Sequence, residues 1–116
     1  MSTRTERIKE LLKIEISDIL LRDIKDPRLG FVTITDADVS RDLKHARIFV
    51  SIMGTPEEKA ASMDVLNRAA RHIRAEFGKR AFLKTIPEIT FQSDTAVEHG
   101  ARIFELLQQV KKDEQK

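Results

Sequence analysis

Ile8, Leu11, Leu12, Ile16, Ile19 and Leu20 recur at intervals that keep them on one side of a helix, with charged residues filling most of the gaps. This spacing predicts a helix over about residues 4–24, stopped by Asp26-Pro27 with Gly30 beyond. A second stripe, Met63, Leu66, Ala70, Ile73 and Phe77, predicts a long helix with one narrow apolar face. Val97, Ala101, Phe104, Leu107 and Val110 predict a third helix. Each has a matching start, a threonine with a glutamate three positions on: Thr3 with Glu6, Thr55 with Glu58, and Thr95 with Glu98. In that pairing the hydroxyl accepts from a first-turn amide while the carboxylate reaches back, and Pro56 falls at the first helical position, where no amide is needed.

Alternation with period two takes over between the first two helices. Residues 31–35 and 46–52 are rich in β-branched side chains and predict two strands; residues 88–92, after Pro87, predict a third. On the second strand Ala46, Ile48, Val50 and Ile52 share one face, and Arg47, Phe49, Ser51 and Met53 point the other way. Three strands with a single apolar side require the helices to lie on that side and leave the other wet. The expected architecture is a two-layer α+β sandwich of order α-β-β-α-β-α, one domain over residues 1–110 followed by a polar tail, residues 111–116.

Composition narrows the chemistry. The 116 residues include no cysteine, which removes disulfides, thiolate nucleophiles and cysteine-containing zinc sites and makes the cytoplasm the expected location. No apolar run approaches a membrane span, and the first residues lack the apolar core of a secretory signal, so no membrane association is expected and the chain is expected to be folded from its own N-terminus. His45, His72 and His99 lie 27 residues apart at each interval, far from the one-turn spacing of a helical metal site. Asp94 and Glu98 sit near a helix start, where carboxylates complement unpaired amides. Glycines at 30, 54, 78 and 100 write neither a dinucleotide fingerprint nor a P-loop. The expectation is no enzyme, no cofactor and no metal.

Charge distribution is more telling than the net +2. Residues 66–84 hold Arg68, Arg71, Arg74, Lys79, Arg80 and Lys84 against the single acid Glu76, a local +5 inside a mildly acidic remainder. At 100° per residue Arg68, Arg71 and Lys79 fall opposite the apolar stripe, Arg74 at its edge, and Arg80 and Lys84 continue into the connection. All six can form one ridge, and arginine's planar fork suits phosphate. The bland reading is a solvated helix face, but such faces usually mix signs at i,i+4, and this one does not. Two loops add Arg28 and Arg41, each beside turn-forming residues: Asp26, Pro27 and Gly30 in the first, Ser40 and Asp42 in the second. If the first two strands are hairpin partners, both loops are expected near one end of the sheet or the adjacent terminus of the first helix, where an Asp–Arg pair could knit them or the arginines could meet RNA. Neither the GXXG loop of a KH domain nor the aromatics of an RRM can be written, and Phe49 is the one plausible stacking residue on the wet face.

Two stretches carry a family resemblance. Residues 24–30, Ile-Lys-Asp-Pro-Arg-Leu-Gly, and residues 39–51, Val-Ser-Arg-Asp-Leu-Lys-His-Ala-Arg-Ile-Phe-Val-Ser, resemble the bacterial ribosome-binding factor A family. Pro87 to Phe91, then Asp94, Glu98 and residues 100–103, continue the likeness at comparable spacing. The resemblance implies a type-II KH-like fold and a factor that binds the free small ribosomal subunit late in assembly, promotes maturation of the 5′ region of 16S rRNA and supports growth in the cold. It also implies a helix-kink-helix with the motif Ala-x-Gly in place of GXXG; here the matching positions are Ala69, Ala70 and Arg71, with arginine where the family has glycine. The reading that follows is a monomeric assembly factor that sets Arg68, Arg71, Arg74, Lys79, Arg80 and Lys84, with Arg28 and Arg41, on 16S rRNA. The competing reading is an interaction module that takes a ribosomal protein or an assembly GTPase on the wet sheet face around Phe49.

Overall fold

The computed structural model describes residues 3–94. The predicted third helix, its Thr95–Glu98 start, His99 and the polar tail lie outside the described residues. Within them the order is α1 (Thr3–Arg22), β1 (Val32–Val39), β2 (His45–Ile52), α2 (Pro56–Ala81) and β3 (Glu88–Ser93).

α1 buries Ile8, Leu12, Ile16, Ile19 and Leu20, the expected stripe with Leu11 moved to its half-buried margin. It differs from expectation at both ends. Thr3 lies inside the first turn instead of before it, and the helix stops at Arg22, where the Asp23 amide donates to the Ile19 carbonyl at 2.8 Å. The sheet order is β1-β2-β3, with β1 antiparallel to β2 and β2 parallel to β3. A parallel pair needs a crossover, and α2 supplies it.

β1 runs four residues beyond the predicted Thr35 because its register shifts there: Ile34 pairs with Val50, yet Asp36 pairs with Phe49. An extra residue in one strand reverses which parity faces inward. Val32 and Ile34 face the helices before the shift, and Ala37 and Val39 are buried after it. The alternation visible in the sequence therefore breaks at Thr35 although the strand continues.

The predicted start of α2 is present in full. The Glu58 amide donates to the Thr55 hydroxyl at 3.2 Å, the Thr55 amide donates to the Glu58 carboxylate at 3.3 Å, and Pro56 opens the helix. The helix continues unbroken through Ala69, Ala70 and Arg71 and ends where Phe82 takes a left-handed conformation, φ 50°. Its buried side is wider than the predicted stripe: Ser62 and Val65 join Leu66, Ile73 and Phe77, while Met63 and Ala70 are only partly covered. Phe77, Leu66 and Ile73 meet Leu12, Ile16 and Ile19 of α1 over Ile48 and Val50 of β2 in one core. Truncating Phe77 to alanine there would cost about 3–5 kcal/mol. Arg47, Phe49 and Ser51 line the opposite, wetter face of β2, so both helices lie on one side of the sheet. This is the two-layer α+β arrangement expected from the residues, in the element order that the family resemblance also implies.

Candidate nucleic-acid interface

The capped, 26-residue α2 is a rigid rod whose outward azimuths follow from its buried side. With Leu66, Ile73 and Phe77 facing the core, Asp64, Arg68, Arg71 and Lys79 point to solvent. Arg74 and Arg80 fall on opposite flanks, and the structure gives both internal work. Arg74 forks onto the start of β3, Nη2 donating to the Ile86 carbonyl at 2.8 Å and Nε to that of Pro87 at 3.1 Å. Arg80 turns toward α1, donating to Asp18 at 2.7 Å and Glu15 at 3.4 Å and lying 3.7 Å from Asp23. The six-membered ridge is thereby split, with Arg74 tied to β3 and Arg80 tied to α1.

The loops also differ from expectation. β1 and β2 are hairpin partners, but the two loops lie at opposite ends of them: residues 26–30 lead into Val32, which pairs with Ile52, whereas residues 40–44 join Val39 to His45. An eight-residue strand, about 27 Å, separates them, so no Asp–Arg pair can knit them together. In the first loop Asp26 accepts from the Arg28 amide at 2.9 Å and from its guanidinium at 3.0 and 3.3 Å. These bonds hold the Asp26 carboxyl below its ordinary pKa and the guanidinium of Arg28 above its own. Gly30 is not left-handed; its amide donates to the buried Ser62 hydroxyl at 2.9 Å, and that hydroxyl donates to the Arg28 carbonyl at 3.2 Å. The second loop closes on Ser40 and Asp42: Ser40 donates to Asp42 at 2.7 Å, and Asp42 accepts from the Lys44 amide at 3.0 Å, which lowers the Asp42 pKa. Here Leu43, with φ 62°, takes the left-handed position.

Through Ser62 the first loop is carried on α2, and this brings Arg28 beside Arg68. Asp64 stands between them, its Oδ2 3.0 Å from Arg68 Nε and 3.6 Å from Arg28 Nη1. The signs on this face are thus mixed one turn apart after all: Asp64 lies just before the window read as a basic ridge, and Glu76 lies within it. Lys79 likewise pairs with Glu76 at 3.2 Å, which draws the Glu76 pKa down. Arg71, Arg41 and Lys84 are exposed, and their side chains make no ion pair with a described residue. Arg71 also rims a groove of about 460 Å³ between α2 and β3, lined by Ala70, Arg74, Glu88, Ile89 and Thr90.

Arg28, Arg68, Arg71 and Lys79 therefore form an outward row along α2, and Arg68 to Lys79 spans roughly 16 Å at 1.5 Å per residue. Arg41 is carried at the far end of the sheet, where the Glu88 amide donates to the Lys44 carbonyl at 2.8 Å. On the wet face the Arg47 guanidinium lies 5.8 Å from the Phe49 ring centre while pairing with Asp38 at 3.2 Å. Across the same face the Thr35 hydroxyl donates to Asp94. His45 is 3.6 Å from Glu88, and no cluster of metal-ligating side chains exists among the described residues. Nor is any described helix long and apolar enough to cross a membrane. What the arrangement offers is cation rows on rigid supports, the means of holding phosphate.

A small KH-like domain with one basic helix face is the class this fold and surface define. The model of the ribosome-binding factor A family matches residues 4–107, and the chain belongs to that family. It is 50% identical over 112 residues to ribosome-binding factor A of Halothermothrix orenii, covering 97% of this chain and 92% of that one. The solution structure of a Thermotoga maritima protein described as a ribosome binding factor A matches with a TM-score of 0.69 at 32% identity, over 79% of this chain and 88% of that one. The Thermus thermophilus factor, as fitted into the map of a complex with the 30S subunit, shares the fold with a TM-score of 0.60 at 23% identity, over 83% of this chain and 97% of that one.

Proposed function

We propose that the protein binds the free small ribosomal subunit and assists late maturation of 16S rRNA without covalent chemistry. The row formed by Arg28, Arg68, Arg71 and Lys79 sits on rRNA phosphates, with Arg41 and Lys84 adding contacts from the far end. Binding holds one conformation of nascent rRNA and shifts its folding equilibrium by the difference in affinity between conformations. The observation that carries this reading is Arg71: exposed, without a described partner, and fixed on a capped helix in a member of a ribosome-binding family. If about four to six phosphates are engaged, log affinity for free small subunits falls against log salt with a slope of roughly −3 to −5. A near-zero slope contradicts it.

A second reading, protein recognition on the wet sheet face around Phe49, draws on Met53, an exposed large apolar side chain that follows β2 with the same outward parity as Phe49. Phe49→Ala separates the two, sparing RNA binding in the first and weakening a protein association in the second.

A further inference from the structure

We propose that Asp64 is a built-in competitor for RNA phosphate, occupying Arg28 and Arg68 in the free protein and setting a limit on how tightly the cation row binds. The inference rests on the reading that these two arginines meet rRNA.

Four charges of alternating sign are in contact one with the next: Asp26, Arg28, Asp64 and Arg68. The two acids have different duties. Asp26 accepts from the Arg28 amide as well as from its side chain and so builds the turn. Asp64 bridges guanidinium groups from two elements, one from the loop and one from its own helix a turn later. Its side chain is 46% exposed, and exposed pairs of this kind add little to folding because water screens them. The loop does not depend on that bridge for its attachment, since the buried Ser62 hydroxyl already fastens it through Gly30 and Arg28.

For binding, the same carboxylate is costly. A guanidinium offers its N–H fork either to a carboxylate or to a phosphate, and the two anions compete for the same donors. An arriving phosphate displaces Asp64 from Arg28 and Arg68 or binds against its charge. Either way affinity falls and the complex leaves sooner, because changes within one interface act mainly on dissociation. Removing the charge while keeping the side chain's shape releases the Arg68 guanidinium and leaves Arg28 held by Asp26 alone.

The test measures affinity of the full chain for free small ribosomal subunits across a salt series. Asp64→Asn is compared with Glu10→Gln, which removes an equal charge from the Glu10–Lys13 pair on α1. Asp64→Asn is expected to tighten binding about two- to fivefold and to steepen the salt slope by up to about one. Binding no tighter than wild type overturns the proposal, and so does equal tightening by Glu10→Gln, which would make the effect one of net charge. Arg28→Ala and Arg68→Ala tell the two failures apart. If both bind normally, the reading beneath the proposal is wrong; if both weaken binding while Asp64→Asn changes nothing, only the role of Asp64 is wrong.

Discussion

Gly30 and Ser62 are joined at 2.9 Å, the loop amide donating to a hydroxyl that is 1% exposed on α2. Because the same hydroxyl donates to the Arg28 carbonyl, one side chain satisfies two backbone groups of the loop and fixes where Arg28 stands. Ser62→Ala removes both bonds, and because Arg28 and Gly30 are exposed to water that can take the hydroxyl's place, each bond lost costs about 0.5–1.5 kcal/mol. A fall in melting temperature of roughly 4–8 °C per kcal/mol is the expected result for a domain of this size. An unchanged melt would show that the loop is held by something else.

Arg74 and Arg71 are three residues apart and have opposite duties. Arg74→Ala removes both bonds to the Ile86 and Pro87 carbonyls and is expected to destabilise the fold by about 1–2 kcal/mol in chemical denaturation. Arg71→Ala touches no such bond and should stay within about 0.5 kcal/mol of wild type while weakening subunit binding. The reverse pattern would place the binding surface on the β3 side of the helix.

Much of this arrangement could be read from the residues, and what could not depends on distance in sequence. The start of α2 is encoded by Thr55, Pro56 and Glu58 within four positions, and the inner face of β2 by strict alternation; both are local signals. The azimuth of Arg68, Arg71 and Lys79 follows from 100° per residue once the buried stripe is known. β1 is foreshortened in the sequence because the register shift at Thr35 ends the alternation, not the strand. Arg80 looks like part of the basic ridge until α1 packs beside it and presents Asp18, Glu15 and Asp23. The meeting of Arg28 with Asp64 is tertiary, set by a serine whose polar side chain does not mark it as a core position. The Asp64–Arg68 pair, however, has i,i+4 spacing and is visible to a window that begins two residues earlier.

Acid should destabilise the fold through carboxylates held in ion pairs. Arg80, then Arg22, lowers the Asp18 pKa below its ordinary 3.8 by hydrogen bonding, and Asp26, Asp42 and Glu76 are lowered by their own donors. A carboxyl whose folded pKa is depressed contributes its full stabilisation above the unfolded pKa and loses it as pH falls through the folded value. Melting temperature is therefore expected to hold from neutral pH to about 5 and to drop below about 4. Asp18→Asn should melt lower at neutral pH and lose less on acidification; an acid slope equal to wild type would remove the Asp18–Arg80 bridge from the explanation.

The central claim is that the outward row on α2 binds the small subunit. Co-sedimentation of the protein with free small subunits, large subunits and assembled ribosomes, repeated with Arg71→Glu combined with Lys79→Glu, tests it most directly. The account predicts selective, salt-sensitive pelleting with free small subunits for the wild type, and its loss in a double variant that melts normally. A folded double variant that pellets like wild type would contradict the account.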